Sequence, residues 1–313
     1  MKLAQILNAT ELILKKGGFQ TSERCTSRPS CFDFVTRKRK KLAFVKVHSD
    51  IGNVSPRNSC EVQAISGCFS AISLFISDKT REKPLEDDTV YSRCNIHTIT
   101  LKTLEDIVSR KIHPLVEAGP GGCYVRVNGN AIRKKRLELG LSVGKLAEMM
   151  GVSRRTLYGY EKGMAKASVS AAFGLEWILG IPVAQCIDVF ESAPRDTGFF
   201  ATAKRIIVKH GFLQAVLKKL AQVDFDVAPT KRAPFDFIAR YPGDPLNIVG
   251  GVSHKTERNV DQRAEEIVSF SKIVNAQPVF ITDGKQVPNN GISLIHLEDL
   301  EAIKHPEEFI AQL

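Results

Sequence analysis

The chain has no apolar run long enough to span a bilayer, no CxxC pair and no low-complexity tract. The first absence argues against a membrane protein. The start, MKLAQILNATELILKKGGF, is amphipathic and lacks an apolar stretch with a small-residue cleavage site, so no secretory leader is expected. Seven cysteines, at 25, 31, 60, 68, 94, 123 and 186, are an odd number, and no Cys/His set among them has zinc-ligand spacing. Free thiols in a reducing cytoplasm, with no metal and no cofactor, are the expectation. Nor is disorder indicated, since 43% hydrophobic and 25% charged residues suit a folded soluble chain.

What is present is an excess of Lys and Arg, for a net charge of +10. Such a surface attracts polyanions, nucleic acid first and an anionic membrane surface as the alternative. With 313 residues the chain has room for two or three domains, more than a single small binding module needs.

Hydrophobic spacing predicts a helix over 3–16, with Leu3, Ile6, Leu7, Leu12, Ile13 and Leu14 largely on one side and Gly17 and Gly18 closing it. Two β-like runs follow, CFDFV at 31–35 and LAFVKV at 42–47, joined by the basic turn TRKRKK. A helix near 60–70, a strand at SLFISD (73–78), short strands at VYSR and HTIT, and a helix at 102–110 complete a small α/β domain. The same order returns later: a helix at 213–222, PFDFIARYPGDPLNIVGGV at 234–252, a helix at 261–275 and PVFITD at 278–283. CFDFV and PFDFI lie 203 residues apart, SLFISD and PVFITD 205. Two anchors at nearly equal offset point to an internal duplication. Pro114, Pro120, Gly121 and Gly122 mark a linker with a short strand at 113–128, and SAPRDTG opens a second linker at 193–212.

The middle segment, AIRKKRLELGLSVGKLAEMMGVSRRTLYGYEKG at 131–163, parses helix by helix. A first helix runs to Leu139 and stops at Gly140. Ser142 caps a second, carrying Val143, Leu146, Ala147 and Met150, which Gly151 ends. Ser153 caps a third with Leu157, Tyr160 and Glu161, closed by Gly163. Two short helices joined by a turn of about three residues form a helix-turn-helix. Further helices are expected at 168–180 and 183–190, with Val169, Phe173, Leu175, Trp177 and Ile178 filling the core.

This segment resembles the Cro/C1 (XRE-like) family of DNA-binding domains through its Arg, Gly-Leu-Ser, Leu-Ala, Gly-Val-Ser and late Glu-x-Gly. The resemblance implies a five-helix domain over 129–192 in which Arg136 and Glu161 pair structurally. It also implies base reading from Arg154, Arg155, Tyr158 and Gly159. Arg154 and Arg155 are the strongest candidates, since a guanidinium donates two hydrogen bonds to the O6 and N7 edge of guanine. Ser142, Ser153 and Thr156 stand where phosphates would pass, and Arg133, Lys134, Lys135 and Lys145 add nonspecific attraction. The family's Gln at the start of the second helix is replaced here by Val143.

The first flank (1–112), with Asp33 and LAFVKV, resembles the core of PD-(D/E)xK nucleases, where two carboxylates hold magnesium and a Lys orients water. The acid position before Lys46 is Phe44, and in the second copy (213–313) Asp236 persists while NIVGGV lacks both acid and Lys. Both copies read as degenerate. Asp33 and Asp236 would then accept hydrogen bonds from backbone or from Arg28 and Arg232, with Glu61 or Asp50 as the carboxylates able to replace the missing acid. Through CFDFV, GPGG-x-Y-V, GVSRRTL and TKRAPFDF the whole chain resembles the archaeal family of HTH-type transcriptional regulators. The expected molecule is multidomain, α/β plus all-α. It is not an enzyme but a sequence-specific, homodimeric regulator binding double-stranded DNA and no membrane. The alternative is a DNA-processing enzyme with the first α/β copy catalytic.

Overall fold

In the computed structural model, which describes residues 2–81, 83–191, 211–242, 246–253, 259–284 and 291–313, the chain divides into two units. One comprises Met1–His48, Val54–Phe75 and Phe190–Leu313, the other Ser49–Asn53 and Ile76–Val189. The α/β flank expected over 1–112 is therefore split, with residues 76–112 grouping with the helix-turn-helix.

In the first unit, α1 (Leu3–Lys16) buries Ile6, Thr10 and Leu14, every fourth residue, so Leu3 and Leu12 fall outside the packed stripe and are exposed. The chain continues through β1 (Gln20–Thr21), β2 (Phe34–Lys38), β3 (Lys41–Val47), α2 (Pro56–Cys68) and β4 (Ile72–Ile76). Strands β1, β2 and β3 pair antiparallel in that order, and β4 adjoins β3.

The second unit begins with β5 (Lys79–Thr80), β6 (Lys83–Pro84), β7 (Thr89–Arg93), β8 (Ile96–Ile99) and α3 (Leu101–Glu105), which widens into a further turn over Asp106–Arg110. Next come β9 (Val116–Gly119) and β10 (Gly122–Val125), then α4 (Gly129–Glu138), α5 (Val143–Met150), α6 (Arg154–Glu161), β11 (Ala167–Ser168) and α7 (Val169–Leu179). Its strands run β8-β7-β9-β10-β11. Residues 113–128, expected as a linker with a short strand, hold two strands, the β9–β10 hairpin. Val125 and Val127 are buried in the helical core beside Ile132, Leu146, Leu157 and Leu175.

The first unit resumes with α8 (Gly211–Gln222), β12 (Asp226–Pro229), β13 (Phe237–Arg240), β14 (Asn247–Ser253), α9 (Val260–Val274), β15 (Ala276–Thr282), β16 (Ser293–His296), α10 (Leu297–Ala302) and α11 (Pro306–Ile310). The linker expected at 193–212 lies outside the described residues up to position 210. Strands β12 to β16 form one sheet in chain order, antiparallel through β14 and parallel beyond, as a helical crossover such as α9 requires.

The order helix, short strand, hairpin, helix, strand thus occurs twice, with the same internal bonding. Asp33 N–H donates to Val45 O, and the Asp33 carboxylate accepts from Val47 N–H. Asp236 N–H donates to Gly250 O, and its carboxylate accepts from Val252 N–H. The two segments also hold each other reciprocally. Glu61 on α2 accepts from the backbone N–H groups of Lys231 and Arg232, while Glu266 on α9 accepts from those of Thr26 and Ser27. Between them lie Phe32, Phe44, Phe69, Phe235 and Phe270, with Phe235 and Phe270 centroids 4.8 Å apart and Phe32 and Phe44 5.0 Å apart.

Two expectations for the helical domain are overturned. Residues 183–190 are not a helix, so the described residues of 129–192 contain four helices rather than five. The segment is extended, bridging Val127 to Ala184, with Asn128 N–H donating to Val183 O and Gln185 N–H to Arg126 O. Val183, Ile187 and Val189 are buried, and Glu176 accepts the N–H groups of Val183 and Ala184. Trp177 and Phe173, expected in the core, are 80% and 68% exposed, and Val169 is exposed too. Only Ala172, Leu175 and Leu179 of α7 are buried, because β11 and the 183–190 segment already cover that core.

Candidate nucleic-acid interface

Helices α5 and α6 begin on serines whose side chains do the capping. Ser142 Oγ accepts from Lys145 N–H and Ser153 Oγ from Thr156 N–H, each at 3.0 Å. Gly151 ends α5 with φ 64°. The first turn of α6, Ser153 to Arg155, is exposed, so its positive dipole end is open to a phosphate. Ser153 Oγ lies 2.8 Å from Thr156 Oγ1, so one of these hydroxyl protons is used internally and the other remains to donate.

The frame beneath is held by Arg136 and Glu161. The guanidinium donates from Nε and Nη2 to the two carboxylate oxygens at 2.5 and 3.1 Å and from Nη1 to Leu141 O at 2.8 Å, ordering α4, the turn after it and the end of α6 together. Both side chains are buried, and the hydrogen bonds to Glu161 raise the Arg136 pKa further above its ordinary value. Gly129 allows α4 to start against this joint. A Cβ there would stand 2.4 Å from the carbonyl oxygens of Tyr160 and Glu161.

Arg154, Arg155 and Tyr158 all lie exposed on α6. The Lys162 ammonium sits 5.7 Å from the Tyr158 ring centre. Gly159 is half-buried, and a Cβ on it would meet Ala165 at 3.4 Å, so its small size serves local packing. The Arg154 guanidinium crosses Gly144, where a Cβ would lie 2.9 Å from Nε. At the position where the resemblance implies a Gln, this chain has Val143, followed by a bare backbone position over which the Arg154 side chain lies. Gly144 was not singled out by the sequence pattern, since a glycine inside a short helix carries no signal until its neighbour is known. Of the accessory cations, Arg133 and Lys134 are exposed, while Lys135 and Lys145 pair with Glu138 and Glu148.

In the first unit, the residues around Asp33 do not fit a magnesium ion. Asp33 Oδ1 accepts from Lys46 Nζ at 2.6 Å and Oδ2 from Val47 N–H at 2.8 Å, and Lys46 also donates to Ser30 O. Phe44, at the acid position, is fully buried in the aromatic cluster between the two α/β segments. Glu61 and Asp50 are committed elsewhere, Glu61 to Lys231 and Arg232, Asp50 to the N–H groups of Gly52 and Arg81. Among the described residues no three His, Cys, Asp or Glu side chains group so as to hold a metal. The Arg28 guanidinium reaches Asp236 of the other segment at 2.6 Å, not the aspartate that follows it in sequence. Arg232 contributes backbone, donating its N–H to Glu61 and accepting from Cys31 N–H. Asp236 is further bound by Arg263, a residue with no solvent exposure that no sequence motif marks. Arg263 lies in helical phase with the buried Ile267, Phe270 and Val274, and that phase was the available signal.

Beside this site His48 packs edge-on against Phe75 at 4.8 Å. Burial first, then the Lys46 ammonium, lower its pKa to about 4 from 6.5, with Asp33 opposing. The imidazole is thus neutral when folded and protonates more readily when unfolded. Stability is full above pH 6.5 and falls as pH drops from there toward the folded value, by about 2 kcal/mol at pH 5 and about 3 kcal/mol in all. Denaturant titrations between pH 7 and 5 should show this loss in wild type and a flatter profile in His48→Leu; the depressed carboxylates Glu11 and Glu117 act only below this window. The cysteines are free thiols, and burial raises the pKa values of Cys25 and Cys31 and pushes Cys68 up to about 12.

Comparison with known proteins places two family models on the chain, a PD-(D/E)XK superfamily domain over residues 3–114 and a helix-turn-helix over residues 132–185. Similar proteins bearing the name Putative HTH-type transcriptional regulatory protein occur in Methanosarcina acetivorans (34% identical, 95% of this chain, 92% of the relative) and Methanosarcina mazei (34%, 95% and 93%). Another occurs in Thermococcus gammatolerans (29%, 99% and 96%). No solved structure matches.

Proposed function

The chain belongs to this archaeal family of HTH-type transcriptional regulatory proteins, and on that premise we propose that it is a DNA-binding regulator whose α6 reads the major groove of a specific operator. The observation that carries the reading is the capped α5–α6 pair, locked by Arg136 and Glu161, with Arg154, Arg155 and Tyr158 exposed along α6. An eight-residue helix spans only a few base pairs, so selective binding calls for two copies on two half-sites. The stacked Phe173 and Trp177 rings, 6.5 Å apart, lie with exposed Val169 on the face of α7 turned from the core and supply an apolar surface for a second copy.

The α/β segments act as a duplicated, non-catalytic scaffold. The matched hydrogen bonds at Asp33 and Asp236, and at Glu61 and Glu266, support descent of both from one PD-(D/E)XK-like domain. Phe44 in the acid position supports loss of nuclease chemistry. Among the described residues no helix is long and apolar enough to cross a membrane, and a cytoplasmic location agrees with seven free cysteines. Selection of bound fragments from genomic DNA tests the whole reading. The expected result is a two-fold symmetric motif with half-sites about 10 base pairs apart, intact in magnesium, and reduced to half-site binding by Trp177→Glu. Magnesium-dependent cutting that disappears in Asp33→Ala would overturn the regulator reading in favour of a DNA-processing enzyme.

A further inference from the structure

The β2–β3 hairpin carries five consecutive cations, Arg37 to Lys41, and its tip is joined to the end of α1 by a hydrogen bond from Lys38 Nζ to Gly17 O. That bond brings Lys15 and Lys16 of α1 to the same surface, where Lys15, Lys16, Arg39, Lys40 and Lys41 are all exposed. Two of the tip's ammonium groups lie over an aromatic pair. Phe19 and Phe190 stand 5.2 Å apart, with Lys38 Nζ 5.4 Å from the first ring and Lys41 Nζ 5.8 Å from the second. The cations are therefore placed by packing.

Folding alone does not favour this composition. Arg39 opens a two-residue turn with φ 54°, a position that hairpins fill with Gly or Asn because a Cβ is strained there. Lys38 and Lys41 face each other directly across the strands, a like-charge pairing that weakens a hairpin. A local sequence that works against its own turn marks a position held for another purpose. The tip is also far from the degenerate metal site. Asp33 lies just before β2, so the five-residue strand separates it from Arg39 by about 20 Å.

We propose that this hairpin and the end of α1 form a second DNA-contact surface, which holds the phosphate backbone of a duplex without reading its sequence. Exposed Lys16, Arg39, Lys40 and Lys41, with Lys15 beside them paired to Glu11, match a row of phosphates, and a contact of this kind strengthens binding to every sequence equally. It goes beyond the α6 reading and does not depend on it.

The test uses the full chain carrying Arg39→Gly, Lys40→Gln and Lys16→Gln, and follows fluorescence anisotropy of a short labelled duplex of arbitrary sequence over a salt series. Removing one cation from a phosphate lowers the slope of log affinity against log salt by about 0.9. The triple variant should therefore drop by about 2 to 3 in slope and bind about 10-fold or more weakly at low salt. Its preference for a selected operator over the arbitrary duplex should not change. Arg39→Gly alone should match or exceed wild type in thermal midpoint, because glycine accepts the turn conformation, and this separates weakened phosphate binding from a damaged fold. Unchanged slope and affinity in the folded triple variant overturn the proposal. So does wild-type sedimentation with phosphatidylserine vesicles that the triple variant abolishes while its duplex binding stays intact, which assigns the patch to an anionic membrane surface. Failure of the α6 reading shows up elsewhere, as unaltered operator preference in an Arg154/Arg155 variant.

Discussion

Replacing Asp236 with Ala is expected to destabilise the first unit by about 3–5 kcal/mol, the range for stranding one member of a buried ion pair. Arg263 has no solvent exposure and donates from Nε to Pro234 O at 2.6 Å, from Nη1 to Val252 O at 3.0 Å and from Nη2 to Asp236 Oδ2. Without the carboxylate Arg263 loses this charged acceptor at a position closed to solvent, and Arg28 and the Val252 N–H each lose a hydrogen bond as well. Since whole domains are stable by only about 5–15 kcal/mol, the loss should be plain in chemical denaturation followed by circular dichroism. Asp33→Ala is the internal comparison. Lys46 keeps 22% of its side chain exposed and retains the Ser30 carbonyl, so the destabilisation there should be clearly smaller. Equal effects would show that Arg263 finds another partner or water. Replacing Arg263 and Asp236 together by Met and Leu should recover much of the stability, because the expense lies in the unpaired charge.

Arg154→Ala with Arg155→Ala should abolish operator preference while leaving the helix-turn-helix folded. A bidentate arginine–guanine contact discriminates by about 1–3 kcal/mol, so removing two should reduce the ratio of operator to nonspecific affinity by about 30-fold to 10⁴-fold in competition binding. The fold should tolerate both changes, since the side chains are exposed and the cap on Ser153 is untouched. The two need not contribute equally. Arg155 is free of the contact that lays Arg154 across Gly144, so Arg155→Ala alone should give the larger share. Gly144→Ala should then act like a partial Arg154 defect by displacing that guanidinium. Unaltered preference in the double variant would remove α6 as the reader.

The helix-turn-helix was legible because its determinants are local. Caps at Ser142 and Ser153, a left-handed glycine at 151 and three-four apolar spacing act within a few residues of chain, and the helices begin and end where those signals stand. The Arg136–Glu161 pair was legible through resemblance. The recurring order of elements was visible as well, because two strands of the same inward pattern recur at nearly one offset. Local sequence failed wherever a residue's surroundings come from elsewhere. Trp177 belongs to an apolar helix, yet the helix has one covered face, and β11 and the extended 183–190 segment decide which. Residues 183–190 have the apolar content of a helix, but pairing with residues 126–128 draws them out.

What the amino-acid sequence determined by itself was a basic chain with a capped, arginine-bearing helix pair between two similar α/β segments, since charge, capping and periodicity require no distant partner. Tertiary structure alone decided that those segments close on each other. Phe44 is buried against Phe270, Arg28 reaches Asp236, and Glu61 and Glu266 each hold the opposite segment's backbone. A side chain more than two hundred positions away can cover Phe44 or neutralise an aspartate only once the chain has folded, because burial and Coulomb attraction depend on distance in space.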